Sequence, residues 1–335
     1  MASTVGTIMA LLVFLTFLSL ITNQYVPVWM KDSEAGHMGE ALGQIGTFKT
    51  NIDLQILSAR AAADAGHHYI PVTTYATVKL GVDGVPIFSQ PTQGALVVDS
   101  TQAPWTVQFQ YNVSGKMTNV SEWTCACGGN VVLSVANRYF PQQAVAYENG
   151  ALIRWQVDGQ VVKAEPSFQA LVTSTTVQVD FSLIQLFGSG GVAGTTAEGL
   201  QARLIAVDLE EYTKITTDIY ANETSQYGPA WYNFFNSTLA KAYNVSVAKY
   251  ANCAGTGFCY SETYASGRPT QLRVDTPIYL VQSLWNPTKR YYEVTLRFKP
   301  PGVRNGITVL PISPFRLQHA FVNVAAGTTG NNVGI

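Results

Sequence analysis

The chain has 335 residues, 47% of them hydrophobic and only 12% charged, with a formal net charge of −1. Globular chains carry about 25% charged residues, so polarity here comes from neutral groups. A charge balance this even offers no electrostatic grip on nucleic acid, and the length is ample for a substantial core.

No side chain is charged before Lys31. Val5 to Ile21 is almost continuously apolar and predicts a helix of about 26 Å, near the ~30 Å hydrocarbon thickness of a bilayer. Extended through Trp29, the helix sets Tyr25 and Trp29 at interfacial depth. A cleaved secretion signal is not expected, because a basic start and a small-x-small cleavage site are both missing. Gly6-x-x-x-Ala10 permits close approach of another helix, and Pro27 predicts a kink. Beyond it Met38, Ala41, Leu42, Ile45, Phe48, Ile52 and Ile56 recur at helical spacing. Lys31, Asp32, Glu40, Gln44, Lys49 and Asp53 fall on the other side. Residues 1–59 are therefore expected as a hydrophobic, Pro-kinked helix running into an amphipathic stalk. "RAAADAGHHYI", residues 60–70, is expected as a hinge.

From residue 71 to 335 alternation dominates and predicts a mainly β head. Trp105–Tyr111, Val177–Leu183 and Tyr292–Phe298 each alternate apolar with polar side chains. Further strands are expected near 75–81, 94–99, 130–136, 151–157, 200–207, 271–282 and 306–311. Turns are marked by Asp83-Gly84, Asn149-Gly150, Asp158-Gly159, Asn286-Pro287 and Asn305-Gly306. This pattern predicts an antiparallel β-sandwich-type head, with room for two packed β units divided near 215–250. One short helix is expected near 229–243, where Pro229 precedes Trp231, Phe234, Phe235 and Leu239. The Gly188–Gly194 run lacks the Lys-Ser/Thr of a phosphate loop and is expected as a mobile hairpin loop. The tail "NVAAGTTGNNVGI" is expected to be flexible rather than a strand.

"STVGTIMALLVFLTFLSLI" resembles the N-terminal helix of archaeal type IV pilin-like proteins. "NQYVPVWMKDSEAGHM" and "YFPQQAVAYENGALI" are similar to stretches of related membrane-tethered archaeal surface proteins. The resemblance implies a subunit held in the membrane before assembly that polymerises with copies of itself; since no motif with a catalytic mechanism is found, it is expected to be non-enzymatic and without a cofactor. Its helices would bundle through Val5, Gly6, Ala10, Leu12, Phe14, Phe17, Leu20 and Ile21, up to the kink at Pro27. The head would form an extracellular wall.

Asn112, Asn119, Asn222, Asn236 and Asn244 open N-x-S/T sequons and are candidate glycosylation sites. With four cysteines they agree on an extracytoplasmic location. Cys253 and Cys259 are spaced for a local disulfide, Cys125–Cys127 would close a very tight ring, and pairing between the two motifs stays open. His67-His68 is not expected to bind metal, since neighbouring side chains on extended chain diverge. Asp208, Glu210 and Glu211 form one acidic cluster, which an anchored hydrolase would place in a cleft. A monomeric, membrane-anchored adhesion protein, its tyrosines available to surface glycans, is the other alternative.

Overall fold

A computed structural model describes residues 2–85, 87–113, 116–120, 128–213, 215–245 and 259–327. It begins with α1 (Ala2–Leu20), one wider π turn (Ile21–Tyr25) and α2 (Val26–Asp64). Strands β1 (Thr73–Lys79), β2 (Gly94–Asp99), β3 (Trp105–Val113), β4 (Lys116–Val120), β5 (Asn130–Val135) and β6 (Gln143–Glu148) follow. Next come β7 (Ala151–Gln156), β8 (Gly159–Ala164), β9 (Phe168–Val172) and β10 (Val177–Phe187). Then β11 (Ser189–Gly194), β12 (Ala197–Tyr212) and β13 (Ile219–Ser225) lead to α3 (Gly228–Ala242). The chain continues through β14 (Cys259–Ala265), β15 (Arg268–Asp275), β16 (Tyr279–Asn286) and β17 (Tyr291–Phe298). It closes with β18 (Gly302–Arg304), β19 (Ile307–Val309) and β20 (Ile312–Ala326).

The head is mainly β, as the alternation predicts. A five-stranded sheet has the order β1-β12-β20-β10-β9, a six-stranded sheet β11-β2-β5-β6-β7-β8, and a seven-stranded sheet β14-β15-β16-β17-β13-β3-β4. Strands β18 and β19 form a separate hairpin. Pairing is antiparallel except between β10 and β20, which run parallel. That exception joins two hydrophobic cores. The first halves of the pair, with Val179, Phe181, Phe315 and Leu317, enter a core with α3 and the seven-stranded sheet. The second halves, with Ile184, Leu186, Val322 and Val324, enter a core with α2 and the six-stranded sheet.

Five local expectations are corrected. The glycine-rich run is not a hairpin loop: Ser189–Gly194 is edge strand β11, paired with β2. Gly188 lets the chain leave β10 in one sheet and enter β11 in another. It has φ +119°, and a Cβ there would land on the carbonyl oxygen of Val324, so only glycine fits. The first residues of the supposed flexible tail, Asn323–Ala326, belong to the buried strand β20. Residues 328–335 lie outside the described residues. The span 271–282 is two strands, β15 and β16, because Thr276 turns the chain: its hydroxyl takes the amides of Ile278 (3.2 Å) and Tyr279 (2.9 Å). Near 306–311 the chain forms only the short β19 before β20 begins. The helix also runs on to Asp64, into the span read as a hinge.

Where the two cores meet, the six-stranded sheet is tied to the seven-stranded sheet by buried acids. Glu148, at the end of β6, accepts the Ser225 hydroxyl at 2.5 Å and the Trp231 indole N–H at 2.7 Å. Glu223 of β13 is buried beside it. Burial first, and the neighbouring Glu148 charge second, push Glu223 well above its ordinary value of 4.5. Burial pushes Glu148 up as well. Two carboxyls in one dry site cannot both ionise, so Glu223 keeps its proton.

Two stability predictions follow from these features. Gly188→Ala is expected to lower head stability by ~2–4 kcal/mol through left-handed strain and collision with Val324, read as a shift in denaturant midpoint. The raised Glu223 value makes its contribution fully present below about 4.5 and lost as pH rises through the folded value. In Glu223→Gln the melting temperature is expected to fall less than in the parent over that rise. An unchanged pH profile would remove the acid pair as its cause.

Candidate functional site: an exposed apolar helix fixed to the head

Helix α1 stands free of the head. Val5, Ile8, Met9, Leu12, Val13 and Phe14 are all exposed, and Phe17 is 65% exposed. These residues point in every direction around the axis, so no single face awaits a partner. Ten large apolar side chains of α1 are in this state, which in water forgoes on the order of 10–20 kcal/mol of burial. By length and composition the N-terminal helix can cross a membrane. Its hydroxyls turn inward on their own helix: Thr7 donates to the carbonyl of Thr4 (2.9 Å) and Thr16 to that of Val13 (2.8 Å). Thr22 donates to Leu18 (2.9 Å). Such back-bonding lets a helix carry threonine among apolar neighbours.

The π turn explains how the helix passes Pro27. Proline lacks an N–H, and its ring crowds the carbonyl four residues back. Widening the turn moves that carbonyl aside; the Val26 N–H bonds to Ile21 five residues earlier. The irregularity falls where the sequence places a kink, and the chain stays helical through it. Tyr25 and Trp29, both exposed, lie with ring centroids 5.9 Å apart just beyond.

From Val26 the same helix becomes part of the head. Val26, Met30, Met38, Ala41, Ile45 and Phe48 are buried on one face. Further along, Ile52, Ile56 and Ala59 continue it. Phe48 meets the Tyr147 ring edge-on at 5.2 Å. Polar residues on and beside this face fix the rotation and height of the helix. Gln44 accepts the Lys79 amide at 2.8 Å, and His37 Nε2 donates to the Lys79 carbonyl at 2.9 Å. Burial lowers the His37 pKa, so the ring is neutral. Gln55 accepts the Leu204 amide at 2.7 Å and donates to Thr74 at 2.8 Å, beside the bulge in β12 between Leu204 and Ala206. Arg60 reaches Gln318 at 3.1 Å.

Glu34 is the strongest of these fastenings. It is fully buried. Its Oε1 accepts the Thr92 hydroxyl at 2.6 Å and the Arg138 amide at 3.0 Å. Its Oε2 accepts the amides of Tyr139 at 2.8 Å and Phe140 at 2.7 Å. Desolvation alone would raise its pKa, but the hydrogen bonds outweigh burial and the net shift is downward. A charged carboxylate therefore caps the loop between β5 and β6, one helical turn past Lys31. Glu34, His37 and Gln55 were not singled out in the sequence. The signal was present for Glu34, which lies four residues from both Met30 and Met38 and so on the apolar face.

The remaining candidates are scattered. Asn222 sits in β13, its amide oxygen taking the Thr295 hydroxyl at 3.0 Å. Asn236 is half-buried on α3, whereas Asn244, just past that helix, is exposed. The side chains of Asn112 and Asn119, and Cys125, Cys127 and Cys253, lie outside the described residues, as does the side chain of Cys259. His67 and His68 are both exposed. Among the described residues no group of three or more His, Cys, Asp or Glu side chains could hold a metal ion. Asp208, Glu210 and Glu211 are exposed on β12. Glu211 pairs with Arg316 at 2.9 Å, Glu210 takes the Tyr212 hydroxyl, and Asp208 faces His319 across the register. Burial, opposed by Asp208, lowers His319 to about 4.

No protein-family model, curated protein or solved structure matches this chain.

Glu34→Ala would leave three amides and a hydroxyl of a buried loop without an acceptor, and is expected to cost ~3–5 kcal/mol in a denaturant titration of the head. Because the folded pKa is lowered, the clamp is fully present above about 4.5 and is lost as pH falls through the folded value. Glu34→Gln is therefore expected to flatten the acid limb of the stability profile. Retention of the parent's acid limb in that variant would assign it to other carboxylates.

Proposed function

We propose that this chain is a structural subunit of an archaeal type IV pilin-like filament, with α1 buried among the helices of neighbouring copies and the β-rich head outside. One observation carries the reading: a single helix is apolar on all sides over its first half and is the core of the head over its second half, with no flexible link between. A lipid anchor needs hydrophobic length and no fixed angle to its cargo. A helical polymer needs every head held at one angle to its core helix, and Glu34 with its companions supplies that. Close packing of such helices is aided where small side chains such as Gly6 and Ala10 let backbones approach. The subunit would wait in the membrane before assembly, with Tyr25 and Trp29 at the interface and the head on the extracellular side.

A monomeric surface anchor is the second reading, favoured by the same interfacial aromatics. The two separate on assembly. Sheared surface material from native cells is expected to contain filaments of this chain with α1 ordered in a central bundle by cryo-electron microscopy. Leu12→Lys and Phe17→Lys are each expected to abolish filaments, because an unpaired charge would enter a dry bundle. The head should stay folded. Filaments that persist in both variants would sink the polymer reading, and single copies confined to the membrane pellet would establish the anchor.

A further inference from the structure

The head contains an open cleft of about 720 Å³, between the hairpin joining β16 to β17 and the face of the six-stranded sheet that continues into the first core. We infer that it is a carbohydrate-binding site, taking a short oligosaccharide across the sheet face. Its floor is ordered by register. One row runs Ser134, Ala144, Trp155, Gln160 across four strands, so the small Ala144 lies between a hydroxyl and an indole. The next rows place Val97 beside Val132 and Asp99 beside Asn130. The wall is built around Trp285. Its ring tilts against Tyr292 at 4.8 Å, and the Arg268 guanidinium lies over it at 4.4 Å. Arg268 thereby fixes the orientation of the indole and gives up part of its own freedom.

The chemistry of this lining fits a polyol. The half-buried Trp155 indole on the floor can cover sugar C–H groups with its apolar ring, while Trp285, held between Arg268 and Tyr292, shapes the wall. Side-chain amides and a carboxylate accept and donate in the in-plane directions sugar hydroxyls use. The cleft falls in the size range of ligand pockets. Gln160, at the end of the first row, donates its amide N–H to the Gln226 carbonyl at 3.0 Å and so ties the sheet to the segment before α3. The buried acid Glu148 is paired in register with the floor residue Asn130, and neither it nor Glu223 is exposed to a ligand.

The cleft belongs to the head, so its binding is independent of whether α1 polymerises. The test uses the full chain in a detergent without a sugar headgroup, titrated with xylo-, manno-, cello- and oligogalacturonate trisaccharides under tryptophan fluorescence and calorimetry. Saturable binding of at least one sugar is expected. Trp155→Ala and Trp285→Ala should each weaken it at least ten-fold. Ser134→Tyr is the control for folding: Ser134 is exposed on the floor, so the new ring fills the cleft without entering a core. It should abolish binding with an unchanged melting temperature. No saturable binding of any of the sugars, or binding that survives Ser134→Tyr in a folded chain, would overturn the assignment.

Discussion

Everything in this molecule hangs on a helix that must satisfy two solvents. Its first half can lose free energy only by leaving water, and its second half is already inside a protein core. The change begins at Val26, the first buried side chain, and is fastened by Glu34, fully buried about two turns on. A carboxylate at that border is an unusual choice, because desolvation works against it. It succeeds because four donors, three of them backbone amides, converge on it. Those donors belong to segments that close the helix-proximal end of the head. Glu34 thus links the height of the helix to the loop geometry of two sheets.

The same logic of holding parts at fixed relation appears deeper in the head. Three sheets with separate faces could form loosely joined units. They do not, because β10 and β20 pass through both cores as one parallel pair, and Gly188 turns the chain from one sheet to the next without a loop. Glu148 and Glu223 close the remaining seam. The two buried acid arrangements have opposite requirements. Glu34 must be charged, and its folded value is lowered. Glu223 must keep a proton, and its folded value is raised. Both hold only in the interval between those values, so the stability of the head falls on either side of it for different structural reasons.

Much of this was legible in the sequence. The charge-free start, the three-and-four spacing from Met38 to Ile56, and strands such as 94–99 and 105–111 follow from side-chain periodicity, which local physics sets. Short helix α3 was visible because Pro229 opens a run of large apolar residues at helical spacing. The misreadings share a cause. Ser189–Gly194 has no apolar alternation to announce a strand; it is one because β2 offers an open edge. Asn323–Ala326 looks like a fraying end, and only antiparallel pairing to Leu200–Arg203 of β12 holds it in the sheet. Glu34 falls on the apolar face by spacing, but nothing local announces its donors, and the partners of Gln55 lie just as far away in sequence. None of the cleft was legible, because Trp155 and Trp285 are brought near one space by two different sheets.

The rigidity of the helix–head joint bears on what the head can do. A tethered binding domain gains reach from a flexible stalk, since its effective concentration near a target depends on the volume it can sweep. Here the helix enters the core directly, and the fastenings from Glu34 to Arg60 extend over about seven turns. Such a head cannot swing about its own helix, so any sugar held in the cleft is held at a fixed angle to α1. If copies of α1 share one axis, their clefts repeat around it at fixed spacing. Weak single-site binding then becomes strong through many simultaneous contacts. The feature that makes the chain a poor solitary tether is therefore the one that would make an array of it an effective surface.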